Sequence, residues 1–262
     1  MVDNRPIGLF DSGVGGLSVL LAIKKLLPNE KFIFIADQAN VPYGAKTQKE
    51  LQELSAKVAS FLLLQNVSMI VVACNTATCY ALDYLREKIK NPIIGVVPAL
   101  KPAAKKTKNN KIAIMSTPAT AKSAYLKNLT IKFAKGKKTL LLGCKGLEDA
   151  IEILDEKVIK DLVDKYAKEI KSFGADTIVL GCTHYPFFKH QIQKGIGKNS
   201  KIIDSGRAVA KRVKQLLTQS DSLSGQAESD SDEFYTTGDP KEFSLIASKL
   251  LKYEITGKKA NI

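Results

Sequence analysis

Two cysteines lie where a thiol can do chemistry. Cys74 follows the apolar run 69–73 and precedes Asn-Thr-Ala-Thr, so it lies where a strand gives way to a helix N-terminus. The unpaired amides and the dipole of such a terminus stabilise a thiolate. Cys182 also follows an apolar run, and Thr183 and His184 come directly after it. A nearby imidazole can stabilise a thiolate or pass protons. Cys74 alone is explained equally well as a small buried side chain, and the alternative for His184 is a structural histidine.

Two thiols acting on opposite faces of one carbon suit one reaction in particular. Racemisation removes an α-proton from one face and returns a proton to the other, with the roles exchanged in the reverse direction. One cysteine must begin each turnover as a thiolate and the other as a thiol. Carboxylates and histidine nearby are the usual means of tuning the two pKa values. The pair therefore predicts an amino-acid racemase.

The first turn of the chain, Asp11-Ser-Gly-Val-Gly-Gly16, is a glycine-rich loop between a strand and a helix. Its backbone can offer amides to an anion, but its glycines fit neither the dinucleotide fingerprint nor a Walker loop. Asp11 is either a functional carboxylate or a helix N-cap. The turn Val41-Pro-Tyr-Gly44 can likewise cover a ligand or close the core.

Further polar residues follow later strands. Ser116-Thr-Pro-Ala-Thr120 supplies hydroxyl groups at a helix start, where capping accounts for one of them at most. Glu148 and Glu152 follow Cys144 and are either functional or ordinary surface charge. The cysteine spacings lack the pattern of a zinc site, so no metal is predicted, and Cys79 and Cys144 are expected to pack in the core.

Short apolar runs alternate with longer amphipathic stretches along the whole chain, which is typical of an α/β fold with parallel sheets. The strands are predicted at 7–10, 32–36, 69–73, 93–97, 111–115, 139–142, 177–180 and 201–203. The helices are predicted at 17–27, 49–65, 79–89, 119–129 and 158–173.

An internal repeat divides the chain. The run 7–12 (IGLFDS) resembles 112–117 (IAIMST), and 70–76 (IVVACNT) resembles 178–184 (IVLGCTH), at nearly equal offsets. Ligands sit at the carboxyl ends of strands in open α/β sheets. We therefore expect two pseudo-symmetric α/β domains, 1–98 plus 207–262 and 99–206, with the active site in the cleft between them and the two cysteines facing each other there.

Composition limits the partners. The net charge is +14, but the lysines are spread along the chain without a recognition motif, so a solvated basic surface is favoured over a nucleic-acid face. No apolar run is long enough for a membrane span, and the first residues do not resemble a secretory signal, so a cytoplasmic location is expected. Residues 218–232 are expected to form a mobile surface loop, to which no chemistry is assigned.

Four motifs in the same order resemble those of the bacterial glutamate racemases, within the aspartate/glutamate racemase superfamily. They span nearly the whole chain. The DSGVGG and VPYG strings are similar to the glutamate branch rather than to aspartate racemases. The motifs are IGLFDSGVGG (7–16), VPYG (41–44), VACNTA (72–77) and LGCTHYP (180–186).

This resemblance implies the interconversion of L- and D-glutamate without pyridoxal phosphate or metal, supplying D-glutamate for peptidoglycan. It implies that Cys74 takes the α-proton of D-glutamate and Cys182 that of L-glutamate. Asp11 would assist Cys74, and His184 with Glu152 would assist Cys182, although Glu148 remains an alternative because residues 144–148 depart from the family's pattern. The residues expected to hold the substrate are Asp11, Ser12, Tyr43, Gly44, Asn75, Thr76, Thr117, Thr120, Thr183 and His184.

The expected partner is the small-molecule substrate, with a homodimer possible and neither nucleic acid nor membrane expected. A noncatalytic module that binds amino acids or nucleic acid is the alternative from another class, motivated by the basic surface.

Overall fold

A computed structural model describes residues 4–220, 222–223 and 232–262. Its strands are β1 (Ile7–Asp11), β2 (Phe32–Ala36), β3 (Met69–Val72), β4 (Ile93–Gly95), β5 (Lys111–Ser116), β6 (Lys138–Gly143), β7 (Thr177–Leu180), β8 (Lys201–Ile203), β9 (Glu233–Thr236) and β10 (Gly257–Lys259). Its α-helices are α1 (Leu17–Leu26), α2 (Gln48–Leu64), α3 (Asn75–Lys88), α4 (Leu100–Lys106), α5 (Pro118–Lys122), α6 (Ala124–Phe133), α7 (Leu147–Glu152), α8 (Glu156–Phe173), α9 (Lys189–Ile196), α10 (Gly206–Gln219) and α11 (Pro240–Leu251).

Two compact units make up the chain. The first comprises Met1–Val96 and Gly206–Ile262, and the second comprises Val97–Ser205. Each unit has its own parallel sheet: β10-β9-β2-β1-β3-β4 in the first and β6-β5-β7-β8 in the second. The predicted α/β class, with parallel sheets in two similar halves, is confirmed.

The sheet of the first unit is covered on both faces, since every residue of β1, β2 and β3 is buried. Successive side chains of a strand point to opposite faces. On β2, Ile33 and Ile35 therefore join the cluster formed with α2 and α3. Phe34 points the other way and stacks on Phe243 of α11, with ring centroids 6.4 Å apart. Two-sided burial explains why these strands are continuously apolar.

The sheet of the second unit also packs helices on both faces. One face carries α4 and α6, and the other carries α7, α8 and α9. Helix α8 begins at the N-cap Asp155, which accepts the Val158 amide at 3.0 Å, and ends at Gly174 with φ of 74°. The two ends of this unit are joined by the Ser205 hydroxyl, which donates to the Val97 carbonyl at 2.7 Å.

The internal repeat reappears as matching topology. The order β2-β1-β3-β4 in the first sheet has the same connectivity as β6-β5-β7-β8 in the second. The matched sequence runs fall on β1 with β5 and on β3 with β7. Strands β9 and β10, near the end of the chain, extend the first sheet beyond this shared pattern.

Some elements differ from the sequence-based prediction. The helix predicted at 119–129 is two helices, because Ser123 adopts an extended conformation and caps α6 by accepting the Leu126 amide. Strands β9 and β10 and helices α4, α7, α9, α10 and α11 were not predicted. Of the predicted loop 218–232, residues 218 and 219 belong to α10, whereas 221 and 224–231 lie outside the described residues.

Over the described part of the chain, the helices are all too short or too polar to cross a membrane.

Candidate active site

Polar side chains of the first unit gather at the carboxyl ends of β1 and β3. Asp11 is the last residue of β1, and Ser12 follows it. Cys74 comes two residues after β3 and is the N-cap of α3. Because the strands are parallel neighbours, their carboxyl ends share one edge of the sheet.

The Cys74 thiol is connected to a carboxylate through a hydroxyl. Cys74 Sγ lies 3.7 Å from Ser12 Oγ, and Ser12 Oγ donates to Asp11 Oδ1 at 3.2 Å. The Ser12 amide donates to the same oxygen at 2.7 Å. Cys74 Sγ also accepts the Ala77 amide at 3.5 Å, within the first turn of α3. The thiol therefore sits at a helix N-terminus, where negative charge is favoured.

Tyr43 belongs to the same side of the first unit. Its ring is fully buried in the apolar cluster that contains Cys74, and its hydroxyl donates to Asp37 Oδ2 at 2.7 Å. Burial and the Asp37 carboxylate raise the pKa of Tyr43 well above its usual value, and the charges of Cys74 and Asp11 act in the same direction. Tyr43 is therefore a neutral hydrogen-bonding group.

The remaining residues predicted in this unit lie beside these. Asn75 and Thr76 are buried in the first turn of α3, and the Asn75 amide Nδ2 donates to the Val96 carbonyl at 3.0 Å. Gly44 is half-buried in the 3₁₀ turn Tyr43–Ala45.

In the second unit, Cys182 follows β7 and is joined to a carboxylate by an imidazole. Cys182 Sγ lies 3.5 Å from His184 Nδ1, and His184 Nε2 lies 2.5 Å from Glu152 Oε1. Cys182 and His184 are buried, whereas the Glu152 side chain is 11% exposed. Both cysteines therefore have one polar side chain between the thiol and a carboxylate.

Burial and charge set the protonation of this triad. Burial raises the pKa of the Cys182 thiol, although His184 opposes this shift. Burial lowers the pKa of His184, but Cys182 and Glu152 outweigh it and hold that pKa well above the usual value. A buried thiol beside a charged imidazole can donate a proton, and the imidazolium stabilises the thiolate that remains.

Glu148 and Cys144 lie near this triad. The charge of Glu148 acts on Cys182 and further raises the pKa of the thiol, whereas Glu152 Oε1 is hydrogen-bonded to His184 Nε2. Cys144 is buried at the end of β6, and burial raises its pKa, so it is a neutral thiol. Cys79 is only half-buried on α3.

Three further threonines predicted to bind substrate are buried in the segments that follow β5 and β7 of the second unit. Thr117 caps α5 by accepting the Thr120 amide at 3.2 Å, and its hydroxyl donates to Thr120 Oγ1 at 3.1 Å. Thr183 lies between Cys182 and His184 and is 4% exposed. Thr117 and Thr120 thus form a pair of hydroxyls at one helix start.

The fold therefore groups the predicted residues within each unit. Asp11, Ser12, Tyr43 and Cys74 come together in the first, and Glu152, Cys182 and His184 in the second. Asp37 was missed, although it directly follows a buried strand just as other predicted residues do. Among the described residues, no cluster of three or more His, Cys, Asp or Glu side chains is arranged to hold a metal ion.

Comparison with known proteins places this arrangement in a family. Residues 14–213 match the Asp/Glu/Hydantoin racemase family. A glutamate racemase of Herpetosiphon aurantiacus is 42% identical over 245 residues, covering 93% of this chain and 96% of that protein.

Two solved structures share the fold over almost their whole length. The glutamate racemase isoform RacE1 of Bacillus anthracis has a TM-score of 0.90 at 31% identity, covering 99% of this chain and 98% of that one. The Escherichia coli glutamate racemase, solved with L-glutamate and the activator UDP-MurNAc-Ala, has a TM-score of 0.86 at 31% identity, covering 97% of both chains. The chain therefore belongs to the Asp/Glu/hydantoin racemase family, and the three relatives named above are glutamate racemases.

Proposed function

We propose that this protein interconverts L- and D-glutamate by a cofactor-independent, two-base proton transfer between Cys74 and Cys182. The observation that carries the proposal is the equivalence of the two thiols. Each follows the matching strand of a repeated topology, β3 or β7, and each is joined through one polar side chain to a carboxylate. Family membership supports the reaction, and the names of the relatives support glutamate as substrate.

In the proposed mechanism, the Cys74 thiolate removes the α-proton of D-glutamate, and the Cys182 thiol delivers a proton to the opposite face. L-Glutamate reacts by the same steps in reverse, with Cys182 as base and Cys74 as acid. The Ala77 amide stabilises the Cys74 thiolate, and Ser12 orients the thiol against Asp11. The pair of His184 and Glu152 stabilises Cys182 when it becomes a thiolate.

The remaining predicted residues complete the proposal. The substrate's charged groups are held by Asp11, Ser12, Tyr43, Gly44, Asn75, Thr76, Thr117, Thr120, Thr183 and His184. Backbone amides and hydroxyls at helix starts are suited to carboxylates, which supports this assignment for Thr76 and Thr117. Domains 1–98 plus 207–262 and 99–206 each contribute one thiol.

The decisive experiment follows hydrogen exchange at the α-carbon. Each glutamate enantiomer is incubated in deuterated water with chelator-treated protein free of pyridoxal phosphate, and circular dichroism and deuterium uptake are recorded together. We expect both enantiomers to reach a racemic mixture that carries deuterium at the α-carbon. L-Aspartate and a hydantoin are run in parallel, since faster turnover of either would contradict the substrate assignment.

Cysteine variants test the two-base step. Cys74→Ala and Cys182→Ala should each lower the racemisation rate by at least about a hundredfold, the usual contribution of a general acid or base. Cys79→Ala is the matched control, because Cys79 lies on α3 away from the helix start and should leave the rate unchanged. Full activity in both alanine variants of the proposed bases would defeat the proposal.

Cellular role and assembly form a second part of the proposal. The D-glutamate made is used for peptidoglycan synthesis, the protein acts in the cytoplasm, and it forms a homodimer. Depletion of the protein in its host should be rescued by external D-glutamate. Light scattering coupled to size-exclusion chromatography should give the mass of two chains.

A further inference from the structure

Thr78 is a buried residue of α3 without a role in the proposed mechanism. Its side chain is 1% exposed. The hydroxyl donates to the Val72 carbonyl at 3.3 Å and accepts the Val96 amide at 3.0 Å. Val72 is the last residue of β3, and Val96 directly follows β4. A threonine inside a helix commonly donates to a carbonyl of the preceding turn, whereas this one joins the ends of two strands.

These hydrogen bonds lie where the ladder between β3 and β4 ends. The last paired residues are Val72 and Gly95. Val96 is buried, so its peptide groups need partners. Its amide is shared between the Val72 carbonyl at 3.2 Å and the Thr78 hydroxyl, and its carbonyl accepts from Asn75 Nδ2 at 3.0 Å. Side chains of α3 therefore continue the ladder beyond the end of β4.

The same contacts close a short loop of chain around Cys74. Val72 and Thr78 are joined by the hydroxyl, and Cys74 lies between them in the sequence. The Thr78 amide donates to the Cys74 carbonyl at 2.9 Å, and the amide of the preceding residue, Ala77, donates to Cys74 Sγ at 3.5 Å. An amide contact weakens steeply with distance and angle. Stabilisation of the thiolate therefore depends on how firmly the start of α3 is held against the strand ends.

We propose that Thr78 is a positioning residue for Cys74: its hydroxyl ties α3 to the ends of β3 and β4 and thereby holds the Ala77 amide against the sulfur. The inference rests on the proposed function, in which the Cys74 thiolate is one of the two bases. Thr78 acts through the helix start rather than on the substrate.

The substitution Thr78→Val tests this role, since it keeps the branched shape and removes the hydroxyl. The Ala77 amide should then be held less closely, so the Cys74 thiolate loses stabilisation. The measurement is the rate of alkylation by iodoacetamide against pH, without glutamate, with fragment-ion mass spectrometry to separate Cys74 from Cys79. Alkylation follows the fraction of thiolate. We expect its midpoint for Cys74 to rise by about one pH unit, the effect of weakening one hydrogen bond to a charged group.

Steady-state kinetics give a second measurement. In Thr78→Val, kcat/KM should fall about three- to tenfold, because fewer molecules carry the Cys74 thiolate and its greater basicity compensates only in part. The two enantiomers have equal free energies, so the fall must be the same for both. Asp11, through Ser12, and Tyr43 also act on this thiol, and they are the same in wild type and variant.

Two further variants separate positioning from stability. Thr78→Ser keeps the hydroxyl but loses a methyl group that packs beside Gly95, where an added Cβ would lie 2.7 Å from Thr78 Cγ2. It should lower the unfolding temperature and keep the wild-type midpoint of alkylation. Thr130→Val is the matched control in the second unit. It removes a hydroxyl that donates to the Leu126 carbonyl at 2.9 Å within α6, and it should change neither the midpoint nor kcat/KM.

An unchanged midpoint in Thr78→Val, an equal shift in Thr78→Ser, or the same shift at Cys182 would overturn the inference. If Thr78→Val does not fold, Thr78→Ala, which adds no bulk in place of the hydroxyl, must show the expected shift. Alkylation needs no substrate. Wild-type protein that fails to racemise glutamate would therefore defeat the proposed function while leaving this test of Thr78 intact.

Discussion

At the scale of single residues, the question left by the sequence is which acid supports Cys182. Glu148 and Glu152 both lie on α7, one turn apart. Glu152 lies within hydrogen-bonding distance of His184, whereas Glu148 acts on the Cys182 thiol through its charge. Burial lowers the pKa of His184, and the combined effects of Cys182 and Glu152 raise it by more.

Replacing Glu152 by Gln keeps an oxygen that can accept from His184 but removes its charge, and should therefore lower kcat/KM by about 10-fold, since hydrogen bonds to charged groups are stronger than neutral ones by about 1 kcal/mol or more. The pKa of His184 falls when the negative charge is removed. His184 then loses its proton at lower pH, so the alkaline limb of the pH–rate profile should shift to lower pH. The measurement is the pH dependence of kcat/KM for wild type and variant.

Glu148→Gln is the comparison for that experiment. It leaves the His184 contact intact and should keep kcat/KM within about threefold of wild type, less than the effect of one charged hydrogen bond. The result that contradicts this assignment is a larger loss of kcat/KM in Glu148→Gln together with an unchanged alkaline limb in Glu152→Gln. Glu148 would then be the acid that assists Cys182.

At the scale of elements, the glycine-rich turn after β1 packs closely against Asp11 and Phe34. A Cβ atom on Gly16 would lie 2.7 Å from the Asp11 Cβ and 2.9 Å from Phe34 Cε2. Such distances are too short for a Cβ atom. Position 16 must therefore be glycine for α1 to begin this close to Asp11. The amides of this turn are suited to an anion, and close packing is a second reason for glycine at position 16.

Gly16→Ala should lower the free energy of unfolding by about 1–3 kcal/mol, as overpacking of a core does, and should reduce kcat/KM because Asp11 is displaced. Chemical denaturation and steady-state kinetics measure the two effects. Gly136→Ala is the control: its φ of 76° makes it strained, but a Cβ there meets nothing within 4 Å. It should cost stability by about 1–2 kcal/mol without loss of activity. Wild-type stability and activity in Gly16→Ala would refute this account.

At the scale of the whole molecule, the second compact unit is formed by one continuous segment of the chain, whereas the first is formed by two. The second is one uninterrupted segment with its own sheet, two apolar clusters and ends joined by Ser205 and Val97. The first depends on the end of the chain, since α10 packs against α1 and β9 pairs with β2.

The isolated segment 97–205 should therefore fold alone, because an independent core and nearby termini are the marks of a domain. Circular dichroism during denaturation should show one cooperative transition, and the segment should not racemise glutamate, since it contains only one of the two proposed bases. Residues 1–96 alone should not give a cooperative transition. Unfolding of segment 97–205 without a cooperative transition would contradict the prediction.

Much of this organisation could be predicted from the chain alone. Continuous apolar runs such as 32–36 can be satisfied only by burial on both faces, so they indicate a parallel sheet. The repeated strand-end motifs marked Cys74 and Cys182 as equivalent, because a polar residue just after such a run must lie at the sheet edge. Strands β9 and β10 were missed, since β9 alternates buried and half-buried residues and β10 is short and mostly exposed.

Only the tertiary structure decided which groups touch. The sequence separates Glu152 from His184 and Asp37 from Thr237 by long stretches of chain, and no local pattern specifies such contacts. Hydrogen bonding and burial act over a few ångströms in space. They therefore set the protonation of Cys182 and His184 only once the strands have paired and brought these groups together. The sequence by itself therefore determined the two thiols and the α/β framework, and the fold determined the partners of each thiol and the orientation of the Tyr43 hydroxyl.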